Sequence, residues 1–85
     1  MSLHLQPVRI ATGGDHTESH LVFASGFLVA ILVKLGEQYE DEAGRWFLEV
    51  GFGPVNRINP PTFINLDEAQ IWIELRLRGA ADGLH

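Results

Sequence analysis

Phe27-Leu28-Val29-Ala30-Ile31-Leu32-Val33-Lys34-Leu35 is the stretch on which the fold turns. Every residue in it except Lys34 is apolar, and β-branched and aromatic types recur through it, as in a buried β-strand. In an extended chain Phe27, Val29, Ile31, Val33 and Leu35 point one way, and Leu28, Ala30 and Leu32 the other. Both faces are therefore apolar and both need cover. Period alone leaves a helix over the same run as the alternative. The β-branched content and the turn that precedes it favour the strand.

That turn is Ser25-Gly26, a two-residue hairpin loop joining a strand over His20–Ala24 to the central one. The register it implies sets Ala24 against Phe27, Phe23 against Leu28, Val22 against Val29 and Leu21 against Ala30. Further upstream, residues 5–12 alternate weakly, with Val8, Ile10 and Thr12 on one side and Arg9 and Ala11 on the other. Pro7 near the start suits an edge strand, which tolerates a missing ladder donor. Met1 to Leu3 carry no structural weight in this reading. Gly13-Gly14-Asp15-His16-Thr17-Glu18 reads as a polar turn.

Downstream, Gly36–Gly44 is an acidic connection containing Glu37, Glu40, Asp41 and Glu42. A further strand follows over Arg45–Phe52. Its alternation places Trp46, Leu48, Val50 and Phe52 on one face and Arg45, Phe47 and Glu49 on the other. Pro54–Pro61 holds three of the four prolines and has no period, so it reads as a crossing loop, and Thr62–Ile64 as a short extended piece. Asn65 then serves as N-cap, with Asp67 and Glu68 favoured by the helix dipole in the first turn. The helix is expected to run to Arg78, with Gly79 as its stop. Leu66, Ala69, Ile73 and Leu77 form the stripe that packs on the sheet, while Ile71 and Leu75 face away and Trp72 lies at the flank.

These elements give an α+β fold: an antiparallel β-meander of about four strands with one C-terminal α-helix packed on one face. Residues 1–79 make one small domain and residues 80–85 a frayed tail. A chain of 85 residues buries only roughly 60–65% of its unfolded surface, so a partner would help its core.

Composition narrows the function classes. Six Lys and Arg against eleven Asp and Glu give a net charge of −5, which repels phosphate backbones and disfavours nucleic acid as a partner. The absence of cysteine removes disulfides, thiolate metal sites and thiol nucleophiles and fits a reducing cytoplasm. The longest nearly apolar window, Leu21–Val33, is shorter than the roughly 18 residues a membrane span needs.

Candidate sites are few. His16, Glu18 and His20 share a side if the segment is extended, and imidazole with carboxylate suits a first-row metal. Against that stands a solvated hairpin turn whose last residue enters a strand. The Glu37–Glu42 carboxylates lack the ligand order of a calcium loop. Asn56, Arg57 and Asn59, in the irregular proline segment, are the ligand-loop candidates. Ser19 and His20 are adjacent, which turns a would-be nucleophile and base to opposite faces of a strand. No phosphate-cradling loop, dinucleotide fingerprint or other cofactor signature is present. The expectation is a non-catalytic module with no metal, no cofactor and no catalytic residues, an enzyme or metal-dependent binder being the alternative.

Arg45-Trp46-Phe47-Leu48-Glu49-Val50-Gly51-Phe52, followed by Thr62-Phe63-Ile64-Asn65-Leu66-Asp67-Glu68-Ala69-Gln70-Ile71-Trp72-Ile73, resembles a recurrent pattern of small bacterial sheet-plus-helix proteins of unassigned function. A strand ends, an aromatic residue leads into a helix cap, and an alanine and an aromatic anchor the helix. The same stretch is similar to the arm-type DNA-binding domains of tyrosine recombinases. That resemblance implies nucleic-acid or regulatory binding, for which Arg9, Lys34, Arg45 and Arg57 would have to share one surface. Arm-type domains carry basic residues on the exposed sheet face, whereas here its centre is apolar.

An apolar face with one helix to cover two sides points to a homodimer or another protein partner. The interface candidates are Val29, Ile31 and Val33 on the sheet and Ile71, Trp72 and Leu75 on the helix back. The competing reading folds residues 1–7 and the Pro54–Pro61 loop over the open face as a lid.

Overall fold

A computed structural model of the chain describes residues 3–9 and 18–82, with the backbone alone for Gln38 and residues 80–82. The sheet is five-stranded, antiparallel and in sequence order: β1 (Leu3–Arg9), β2 (Glu18–Ala24), β3 (Phe27–Lys34), β4 (Trp46–Gly51) and the two-residue β5 (Thr62–Phe63). The helix α1 (Leu66–Asp82) closes the chain. The α+β meander with one C-terminal helix is thus the observed architecture, and the extended piece after the prolines is a fifth strand. β1 begins at Leu3, two residues before the expected start, so Leu3 does carry structure. The rest of the expected first strand, residues 10–12, lies outside the described residues.

Ser25 and Gly26 form the hairpin turn, both with positive φ (51° and 84°), the backbone of a type I′ turn that matches strand twist. From it the register runs Ala24 to Phe27 and Phe23 to Leu28 as the sequence implies, and then slips. Val22 pairs with Ala30 and Leu21 with Ile31, because Val29 is an extra residue in β3. A second bulge in β4 makes Glu49 extra, so that Ile31 pairs with Val50 and Leu32 with Leu48. Each bulge moves every later side chain to the opposite face from strict alternation.

The helix side of the sheet therefore carries Leu5, Val22 and Ala30 in one cross-strand row and His20, Leu32 and Leu48 in the next, with Trp46 and Phe63 beyond. Val22, Ala30, Leu32, Leu48 and Phe63 are almost wholly buried there, with Val29 beside them. From above, Ala69 and Ile73 of α1 complete the core, and Leu66 and Leu77 pack at its margin, as the expected stripe requires. Full burial of Ile73, at about 1.5–3 kcal/mol, and partial burial of Leu66 and Leu77 are the main reason the helix stays on this face.

α1 starts where the sequence places it. The Asn65 side-chain oxygen accepts a 2.8 Å bond from the Glu68 N–H, satisfying one orphan donor of the first turn. At the other end the helix does not stop at Gly79 but continues to Asp82. A glycine in a helix lowers stability without obliging the helix to end.

The proline segment touches the core through Val55, while residues 56–59 are exposed. A short 3-10 turn, Gly53–Val55, folds back over the end of β4 and buries Val55 completely. A Cβ on Gly51 would lie 2.6 Å from the Val55 carbonyl oxygen, so only glycine permits this approach. The Arg76 Nε donates to the Pro54 carbonyl at 3.1 Å while its guanidinium lies 5.4 Å from the Trp72 ring centre. Of the segments expected as a lid, residues 3–7 are instead edge strand, and Val55 packs on the helix side.

Candidate functional site

Among the described residues, no element packs over the other side of the sheet. Its rows are His4, Phe23 and Leu28; then Gln6, Leu21, Ile31 and Val50; then Val8, Ser19, Val33, Phe47 and Thr62. Leu21, Phe23, Leu28, Ile31, Val33, Phe47 and Val50 are seven large apolar side chains of intermediate exposure, and Val8 on the edge strand is an eighth. None belongs to the helix-side core or to the residues packed against it. His4 and Gln6 border the patch along β1, and Thr62 and the exposed Glu49 border it along the other side. An apolar centre with a polar rim has the make-up of an interface.

Size decides how much this patch can do. Four strands about 4.8 Å apart and three rows about 6.8 Å apart span roughly 20 by 20 Å, or about 400 Å2 in plane. That lies within the roughly 300–600 Å2 of the largest apolar patch on a typical monomer, a patch that is often functional.

The sheet edges offer less. Pro7 sits within β1 and pairs with His20. Having no N–H, it directs its ring nitrogen away from β2, and it interrupts the outer donors of that edge. β5, on the far edge, is two residues long. Neither edge can accept a long added strand.

Of the interface candidates, Ile31 and Val33 lie on the open face. Val29 does not: as the bulge residue it turns into the helix-side core and is 9% exposed. Ile71 and Leu75, each 60% exposed, lie on the back of α1. Trp72 is partly buried against the core, its ring 5.6 Å from that of Phe63. Arg9 belongs to the helix-side row, opposite Glu18 on β2, and so does not border the open face.

The metal candidates are His16, Glu18 and His20. His16 lies outside the described residues, and among the described residues no group of three or more metal-ligating side chains occurs. Glu18 is exposed at the start of β2. His20 packs edge-on against Trp46 at 5.1 Å, with its Nδ1 buried and without a hydrogen-bond partner. The residue as a whole is half-buried. Ser19, on the open face, and His20, on the helix side, point apart.

Asn56, Arg57 and Asn59 are all exposed. Asn59 takes a left-handed φ of 57°, the usual conformation of asparagine in a turn. The acidic connection forms a 3-10 turn, Glu37–Glu42. There the Glu42 carboxylate accepts from Thr62 at 2.9 Å, while Thr62 accepts from the Arg45 Nε at 3.1 Å. That network ties β5 to the start of β4 and occupies Arg45.

One feature escapes the sequence reading. A shallow depression of about 490 Å3 lies at the hairpin corner of the open face, lined by His4, Gln6, Phe23, Ser25 and Gly26. The signal was the apolar residue before His4, which marks the true start of β1.

No family model, curated protein or solved structure matches this chain. Among the described residues no helix is long and apolar enough to cross a membrane.

Proposed function

We propose that the protein is a small, non-catalytic self-association module of the cytoplasm whose working surface is the open sheet face. Its partner is a second copy of the chain. The observation that carries this reading is the unbroken run of seven apolar side chains on a face that no described element covers. Two such faces about a two-fold axis would pack about 10 Å apart as a sheet sandwich, with a helix on each outer side. Blocked edges favour association through the face rather than by strand addition.

The test isolates the sheet. Leu75 on the helix back is first replaced by Lys, so that the mass measured reports the sheet face alone. In sedimentation equilibrium at about 50 μM, the concentration being fixed because association depends on it, the Leu75→Lys chain should show twice the 9.5 kDa monomer mass. Adding Ile31→Lys, in the middle row of the open face, should return it to the monomer. A monomeric Leu75→Lys chain, or a dimer indifferent to Ile31→Lys, would show the reading to be wrong.

A further inference from the structure

The back of α1 carries a second pattern, independent of the sheet. Ile64, just before the helix, is 63% exposed, and Ile71 and Leu75 are each 60% exposed. Glu68 and Arg78, also exposed, fall on the same line. Within α1 the spacing Glu68, Ile71, Leu75, Arg78 is three, four, three, that of a helix–helix seam. At 100° per residue this line lies opposite Ile73, which is fully buried.

The order of charges along the line selects a partner. The acidic residue stands toward the N-terminal end and the basic one toward the C-terminal end, with the two aliphatics between. Glu68 and Arg78 are equidistant from Ile73, and so are Ile71 and Leu75. A second α1 laid antiparallel on the helix back, about a two-fold axis at the level of Ile73, therefore sets Ile71 against Leu75 of the other copy, and Glu68 against its Arg78. Both contacts occur twice. A parallel pair would instead oppose like charges at both ends. Arg78 makes no hydrogen bond or ion pair among the described residues, and Glu68 makes only a long 3.4 Å bond from the Ile64 N–H besides its capping role. Arg76, by contrast, is held by Pro54 and Trp72.

We infer that α1 is a second self-association surface, pairing antiparallel with α1 of another copy. In a sandwich built on the sheet faces the helix backs remain outward, so this contact joins one dimer to the next. It does not require the sheet dimer.

Cross-linking tests it directly, because the chain has no cysteine of its own. Ile71→Cys and Leu75→Cys chains are prepared separately, mixed and mildly oxidised. In the antiparallel pair residue 71 meets residue 75 within disulfide reach, whereas two copies of residue 71 are offset by about 6 Å along the axis as well as about 8–10 Å across it. The mixture should yield a disulfide-linked dimer and neither chain alone should. Adding Glu68→Arg to both chains should abolish the product, and combining Glu68→Arg with Arg78→Glu should restore it. An absent product in the mixture, linking by either single chain to the same extent, or indifference to Glu68→Arg would overturn the inference. The cross-link reports contact at α1 only, so it stands or falls separately from the sheet-face dimer.

Discussion

Gly51→Ala is the substitution that most directly tests how the helix side is built. The added Cβ would sit 2.6 Å from the Val55 carbonyl oxygen, 2.7 Å from its carbon and 2.9 Å from the Asn56 nitrogen. A relaxed carbon–oxygen contact is about 3.3–3.6 Å, so the Gly53–Val55 turn must retreat by roughly 0.7–1 Å. That turn is not free to do so. Val55 is fully buried in the core, its N–H donates to the Phe52 carbonyl at 3.2 Å, and the Asn56 N–H donates to the Gly53 carbonyl at 3.1 Å. Arg76 holds the Pro54 carbonyl from the helix. Overpacking of this kind costs about 1–3 kcal/mol, offset by about 0.4–1 kcal/mol because alanine restricts the unfolded chain. The net loss is about 1–2 kcal/mol. With a urea m-value of about 1–1.5 kcal/mol/M for a chain of this size, the midpoint should fall by roughly 1–1.5 M.

Gly79→Ala is the matched control. Nothing lies within 4 Å of a Cβ there and the residue is helical, so stability should rise by about 0.8–1 kcal/mol. Both midpoints are read by circular dichroism at one protein concentration, since association shifts apparent stability. If Gly51→Ala unfolds at or above the wild-type midpoint, the turn is not packed on β4 as described.

Asn65→Ala removes the acceptor 2.8 Å from the Glu68 N–H and should lower stability by about 1 kcal/mol, read from the same urea curves; an unchanged midpoint would mean the cap is dispensable. Ser25→Asn should act in the other direction. Ser25 occupies a positive φ of 51° beside Gly26, a position where asparagine is favoured in type I′ turns, so a gain of about 0.5 kcal/mol is expected. A loss in thermal or urea midpoint would argue for a different turn.

The elements that the sequence makes legible are those decided within a few residues. Ser25-Gly26 turns the chain because only backbone conformations with positive φ match the strand twist. Asn65 caps α1 because its oxygen reaches a donor three residues on. Leu66, Ala69, Ile73 and Leu77 recur at the helical period, which is enough to name the buried stripe without a structure. The apolar run Phe27–Leu35 likewise declares a central strand needing cover on both sides.

Which side chains supply that cover was decided only in three dimensions. Val29 and Ala30 are both apolar, so alternation carries no penalty whichever of them faces the core. The bulge that sends both beneath α1 answers to the volume available there, and it transfers Ile31 and Val33 to the open face. The bulge at Glu49 acts the same way on Val50, which leaves the face of Leu48 to join Phe47. The Gly53–Val55 turn is equally hidden in the sequence. Its proline-rich stretch has no period, and its place is set by the contact of Val55 with the core and by the empty space above Gly51. Local propensity thus determined the elements, whereas the one-residue slips that fix their faces depended on packing between segments far apart in the chain.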